Sequence, residues 1–287
     1  MQIAETPQAM RSLTDSWRVA GQRVGFVPTM GALHEGHLAL IRTARGECER
    51  LVVSIFVNPT QFGAGEDFDT YPRRVERDRG LLQEVGCDAL FAPTVEAMYG
   101  GGPADLGSGE RTSVEAGKLS ELWEGASRPG HFRGVATVVA MLLNIVRPQR
   151  AYFGEKDYQQ LKIIERMARD LHFGVEIVAC PTVREADGLA VSSRNANLSL
   201  EERKAAATLS LALRTGVDLA RGGERDAASL VGAMQEVCEA QPLVALHYVA
   251  VVDPETLSPL ETLDERPARA LIAAQVGDTH LIDNMEL

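Results

Sequence analysis

From its start to about residue 180 the chain alternates short apolar runs with stretches of helical periodicity, and no other feature narrows the fold as much. Arg23 to Val27 reads as a strand and Leu38 to Arg50 as a helix. Leu51 to Val57 is a β-branched run suited to a buried strand, Val75 to Val85 a helix, and Ala89 to Ala92 a short strand. An apolar helix at Val135 to Val146 stops before Pro148; a strand at Ala151 to Phe153, a helix from Tyr158 to His172 and a strand at Val175 to Ala179 follow. Continuously apolar strands need helices on both faces, which predicts an α/β fold built on a Rossmann-like, doubly wound parallel sheet. In such sheets ligands bind beyond the strand carboxyl ends, where strand order reverses. A glycine-rich stretch, Gly100 to Pro103, interrupts the pattern and reads as a mobile loop.

After Pro181 the pattern changes. Residues 182 to 197 form a polar loop, and Ser199 with Glu202 has the spacing of a capping box. Helices are expected from Leu200 to Ala220 and from Arg225 to Ala240, then strands at Leu243 to Val252, Ala268 to Ala274 and near His280 to Asp283. The division predicted is a Rossmann-like domain over residues 1–180 and a smaller α+β domain over 181–287, closing over the site.

A hydrophobic fraction of 45% and a charged fraction of 24% fit a globular chain with a substantial core. The net charge of −11 supplies no long basic face, so no nucleic-acid partner is expected. No membrane span is expected either, since no apolar run approaches the necessary length. Cys48, Cys87, Cys180 and Cys238 lie far apart, without a C-x-x-C pair, and the first residues lack the basic and apolar regions of a signal peptide. Reduced thiols and a cytoplasmic location are the expectation.

Three polar clusters follow predicted strands or lie on the polar loop. In the first, Phe26-Val27-Pro28-Thr29-Met30-Gly31-Ala32-Leu33-His34-Glu35-Gly36-His37, a strand runs through a glycine turn into a helix carrying two imidazoles. That layout predicts histidines and backbone N–H groups aimed at a phosphate. The H-x-x-H spacing and the absence of an obvious third ligand argue against zinc. The second cluster, Gly154-Glu155-Lys156-Asp157, suits a phosphate and a ribose hydroxyl, although alone it is an ordinary charged turn. The third, Ser192-Ser193-Arg194-Asn195, offers hydroxyls and a guanidinium for a triphosphate, although alone it is a hydrophilic linker.

Together these clusters resemble the pantothenate synthetases, within the His-x-Gly-His nucleotidyltransferase group. The matching stretches are F-V-P-T-M-G-A-L-H-E-G-H, S-I-F-V-N-P-T-Q-F, D-F-D-T-Y-P-R, R-P-G-H-F-R-G-V-A-T-V-V, Y-F-G-E-K-D-Y-Q-Q-L and V-R-E-A-D-G-L-A-V-S-S-R-N, spread over residues 25 to 200. The C-terminal third is less diagnostic.

The resemblance implies ATP-dependent joining of pantoate to β-alanine through a pantoyl adenylate, with release of pyrophosphate and AMP. It implies catalytic roles for His34, His37, Lys156 and Arg194, and ATP contacts from these residues with Met30, Gly154, Asp157, Val183, Val191, Ser192 and Ser193. Pantoate would meet Gln61, Gln160, Met30, Asn58, Phe62 and His131. Mg2+ is expected on the triphosphate, with Asp78 its one protein ligand, because the sequence reads Glu76-Arg77-Asp78 where relatives can carry adjacent acids. Val191 stands where methionine is common, a change that a backbone contact to adenine would survive. A homodimer is implied as well. The rival reading is a related adenylyl- or cytidylyltransferase releasing a dinucleotide product.

Overall fold

The computed structural model describes residues 1–63, 68, 71–101, 112–264 and 266–287. Gly102 and Pro103 of the glycine-rich stretch, and Asp67, Asp69 and Thr70 of the D-F-D-T-Y-P-R motif, lie outside the described residues. The chain divides into two compact units: Met1–Glu155 with Gln159–Cys180, and Lys156–Tyr158 with Pro181–Leu287.

The first unit holds six parallel strands in the order β1-β4-β3-β2-β5-β6: β1 (Gln2–Ala4), β2 (Val24–Thr29), β3 (Arg50–Ile55), β4 (Ala89–Phe91), β5 (Arg150–Gly154) and β6 (Glu176–Cys180). Helices α1 (Pro7–Val19), α2 (Glu35–Glu47), α3 (Val75–Glu84), α4 (Val95–Tyr99), α5 (Glu124–Ser127), α6 (His131–Val146) and α7 (Tyr158–Asp170) alternate with them. This is the doubly wound Rossmann-like sheet that the alternation predicts. β1 and α1 carry no sequence assignment above. β1 has three residues, too few for a period, and α1 buries only Met10, Thr14 and Trp17, a narrow stripe on a polar helix.

The central strands explain where a ligand fits. β2 pairs with β3 through six residue pairs but with β5 only through Gly25 with Arg150 and Phe26 with Ala151. Beyond Phe26 no further β2–β5 pair forms, and this is where strand order reverses, the place at which sheets of this kind take ligands. Gly25 is fixed by packing, since a Cβ there would stand 2.9 Å from Cys48 Sγ. Val27, Leu33, Ile41, Leu51, Val53 and Leu90 form the apolar cluster between α2 and the sheet. α2 runs earlier than expected, from Glu35, because His34 caps it; it ends at Glu47, because Cys48 is already extended toward β3.

The second unit is an antiparallel sheet, β7 (Val244–Val252), β8 (Arg269–Val276) and β9 (Thr279–Glu286), covered by α8 (Leu200–Arg221) and α9 (Ala227–Glu239). The Ser199–Glu202 capping box forms with both bonds present. Its core gathers Leu209, Leu213, Leu230, Met234, Ile272 and Val276, all buried. All four cysteines are free and buried. No helix of the described residues is long and apolar enough to cross a membrane.

Candidate active site

The turn after β2 is built from the inside. Thr29 Oγ1 donates to the Ser54 carbonyl at 2.7 Å and accepts from the Gly31 N–H at 3.1 Å. Gly31 and Ala32 then take left-handed conformations, with φ of 84° and 51°. The strain at Ala32 is held by Asp78 of α3, whose Oδ2 accepts from Ala32 N–H at 2.8 Å and whose Oδ1 accepts from Leu33 N–H at 2.9 Å. The Gly36 N–H goes to His34 Nδ1 at 3.1 Å.

These bonds correct two expectations. The N–H groups of Gly31, Ala32, Leu33 and Gly36 all donate within the protein and are not the open donors expected for a phosphate. Asp78 is not placed as a metal ligand: it is 1% exposed, and each of its oxygens accepts a backbone N–H. Among the described residues no group of three or more His, Cys, Asp or Glu side chains could hold a metal ion.

His34 is the N-cap of α2, with extended backbone. Since Gly36 N–H donates to its Nδ1, that nitrogen is the unprotonated one and Nε2 carries the proton. The His37 ring lies 4.1 Å from the His34 ring, tilted by 31°. Both rings are half-buried, as is Met30 at the end of β2.

Beyond β3 a single 3₁₀ turn, Pro59–Gln61, is organised by Asn58. Asn58 Nδ2 donates to Gln61 Oε1 at 3.1 Å and to the Gly134 carbonyl at 3.2 Å. Its Oδ1 accepts from Thr60 N–H, Thr60 Oγ1 and Tyr99 Oη. Asn58, expected at the pantoate pocket, is 1% exposed, its amide is engaged within the protein, and it holds Gln61. Gln61 Oε1 faces Asn58, so Nε2 is its outward donor, 3.2 Å from Met30 Sδ.

His131 is engaged within the protein as well. Arg128 can only donate, so the 3.1 Å contact between its Nη1 and His131 Nε2 makes that nitrogen an acceptor. Nδ1 then carries the proton and donates to the Gln61 carbonyl at 2.8 Å. His131 is a strut between the Gly130 turn and the Gln61 turn. A cavity of about 450 Å³ adjoins them, lined by Thr60, Gln61, Phe62, Arg128, His131 and Arg133 among others. Phe62 stands edge-on to Phe68 and Tyr71. The Gln160 side chain, half-buried on α7, makes no hydrogen bond among the described residues.

Gly134 and Gln159 are site-shaping residues that sequence reading missed. A Cβ at Gly134 would stand 2.3 Å from the Thr60 carbonyl oxygen, so only glycine lets α6 approach the Gln61 turn. A lone glycine within the apolar pattern of α6 is the signal that was available for it. Gln159 receives Glu124 N–H and donates to the Leu119 and Leu122 carbonyls, tying the segment before α6 to α7.

The C-terminal unit carries the other expected residues except Gly154. Lys156 Nζ lies 3.2 Å from Asp157 Oδ1, and its side chain is 19% exposed. Gly154, at the end of β5 in the first unit, has open space where a Cβ would be. Val183 and Val191 face each other in a short hairpin, with Val191 N–H donating to the Val183 carbonyl at 2.9 Å. Ser192 then caps the 3₁₀ turn Ser193–Asn197, accepting from Arg194 N–H at 3.3 Å. The polar loop is anchored as well: Arg203 binds Glu185 and Asp187, and Arg184 binds Asp283.

Comparison with known proteins places this architecture. The family model for pantoate-beta-alanine ligase matches residues 2–286. A pantothenate synthetase of Rubrobacter xylanophilus is 66% identical over 285 residues, covering 99% of this chain and 98% of that protein. The crystal structure of pantothenate synthetase from Thermus thermophilus superposes with a TM-score of 0.91 at 51% identity, covering 99% of each chain. The pantoate-beta-alanine ligase of Francisella tularensis, solved in complex with beta-gamma ATP and beta-alanine, superposes with a TM-score of 0.80 at 34% identity, covering 99% of this chain and 97% of that one. The chain belongs to the pantoate–β-alanine ligase family.

Proposed function

We propose that this protein joins pantoate to β-alanine at the expense of ATP, in two steps. A pantoate carboxylate oxygen attacks the α-phosphorus, pyrophosphate leaves, and pantoyl adenylate forms. The β-alanine amine then attacks the acyl carbon, losing a proton as AMP departs, and pantothenate is released. No protein nucleophile is needed, so the site acts by positioning and by stabilising charge.

The observation that carries this reading is the fixed amide of Gln61. Asn58 holds its Oε1 and His131 the Gln61 backbone carbonyl, so that Nε2 lies beside Met30, which suits a small hydroxy acid recognised by few, well-placed polar groups. Gln160 supplies a second amide, and Met30 and Phe62 the apolar wall for the dimethyl carbon. His34, with Nε2–H as donor, and His37 would meet the phosphates. Lys156 and Arg194 would neutralise charge on transfer, with Ser192 and Ser193 on the outer phosphates and Asp157 on the ribose. Val183 N–H and Val191 C=O make no hydrogen bond among the described residues and are the backbone groups suited to adenine. A dinucleotide-forming transferase has less use for the paired amides of Gln61 and Gln160.

Mg2+ would travel with ATP, held on its phosphate oxygens and by water, as this ion prefers. Homodimeric assembly, tested by sedimentation, and a cytoplasmic location belong to the same proposal. The deciding experiment is pantoate-dependent exchange of labelled pyrophosphate into ATP, followed by β-alanine addition and detection of AMP. Exchange without pantoate, or AMP formation indifferent to β-alanine, would refute the reading. ATP should also protect residues 182 to 197 from protease.

A further inference from the structure

Lys156 follows the end of β5 closely, yet the segment Lys156–Tyr158 belongs with the C-terminal unit. The last strand holds it there. Asn284 Nδ2 donates to the Lys156 carbonyl at 3.0 Å, while Asn284 Oδ1 accepts from Arg269 Nη1 at 2.5 Å. The Arg269 guanidinium carbon lies 3.8 Å from the centroid of the Tyr158 ring, and Tyr158 Oη donates to the Pro254 carbonyl at 3.2 Å. The preceding residue, Asp283, accepts from both Nη groups of Arg184, at 2.6 and 2.9 Å. Arg184 also donates to the carbonyls of Gly188 and Asn284, which fixes the hairpin leading to Ser192–Arg194.

Asp283 and Asn284 are 5% and 4% exposed. Two consecutive buried polar residues on one strand therefore hold the two segments, remote in sequence, that carry Lys156 and Arg194. The geometry points to Asn284 as a positioning residue for Lys156, with the Asp283–Arg184 pair holding the Ser192–Arg194 segment to the same strand. A lysine side chain is flexible, and what a fold fixes most directly is its backbone. Clamping the Lys156 carbonyl sets the origin from which the ammonium reaches, and misplacement by about 1 Å costs on the order of a hundredfold in rate. This inference rests on the proposed phosphate-facing role of Lys156.

The test measures pyrophosphate exchange and overall turnover in Lys156→Ala, Asn284→Ala and the double variant, together with Asn284→Asp. The aspartate keeps an acceptor for Arg269 and removes the donor to Lys156. Both Asn284 variants should lose about tenfold to a hundredfold in kcat. Pantoate KM should stay within about twofold and the circular dichroism should be unchanged, because Gln61 and Gln160 belong to the other unit. The double variant should be no slower than Lys156→Ala, because Asn284 acts through that residue. Multiplicative losses overturn the inference, as does wild-type turnover in Asn284→Asp while Lys156→Ala is impaired. Should Asn284→Ala not fold, the same cycle with Asn284→Asp decides. Undiminished turnover in Lys156→Ala refutes the role of Lys156 itself, a different failure seen in a different variant.

Discussion

Asp78 Oδ2 lies 2.8 Å from the Ala32 amide nitrogen, 46 residues away in sequence, and this buried bond fixes the left-handed turn that delivers His34 and His37 to the end of β2. Truncation to alanine leaves two buried N–H donors unsatisfied, at about 1–3 kcal/mol each unless water enters. Asp78→Ala should therefore melt earlier and lose kcat, whereas the Mg2+ concentration for half-maximal rate should not move. A rise in that concentration with unchanged melting would return Asp78 to the metal.

Gly134→Ala should act on pantoate more than on ATP. The added methyl meets the Thr60 carbonyl at 2.3 Å and the Gln61 Cα at 2.7 Å, both backbone atoms that cannot swing aside. Overpacking of this kind costs about 1–3 kcal/mol and displaces the Gln61 turn. Steady-state kinetics should show pantoate KM raised about tenfold, with the KM for ATP nearly unchanged. An unchanged KM for pantoate would mean that the turn does not set its pocket.

How much of this was legible beforehand depends on the length scale of each signal. The parallel sheet announced itself because runs such as Leu51 to Val57 are local, and the first cluster because strand, turn and histidines are contiguous. The partners of that cluster were not legible. Asp78 is far from Ala32 in sequence, and an isolated aspartate on a helix carries no mark of the backbone it will meet. The same limit hid the bonds by which Asn58 and His131 hold the Gln61 turn, since polarity beside a pocket does not reveal which hydrogen bonds the protein itself consumes. Asp283 and Asn284 lay in the third of the chain with the weakest pattern, and their meaning comes from Arg184 and Lys156, about a hundred residues or more away.

The cysteines should be unreactive in the native protein. Burial is the main cause that pushes the Cys87 thiol up to about 12, and Cys180 and Cys238 up to about 11, so little thiolate forms near neutral pH. A chromogenic disulfide reagent should label these three slowly at pH 8 and rapidly after denaturation, with catalytic turnover retained in the reagent. Rapid native labelling of any of the three would contradict the burial.

The anchoring of the polar loop should be visible in acid. The Asp187 carboxyl sits below its ordinary value, chiefly because Arg203 hydrogen-bonds to it and further because Leu189 N–H does. A carboxyl lowered by folding contributes stability that is fully present above its unfolded value, about 3.9, and is lost as pH falls through the folded value. Replacement of Arg203 by glutamine removes the chief cause of that shift. The difference in melting temperature between wild type and Arg203→Gln should therefore stay constant above about pH 5 and shrink as pH drops below about 4. Because Asp187 and Glu185 are each about two-fifths exposed, the difference should be small and should fall with added salt. A melting difference that persists unchanged at pH 3 would show that Arg203 supports the loop by packing its stem and not by its charge.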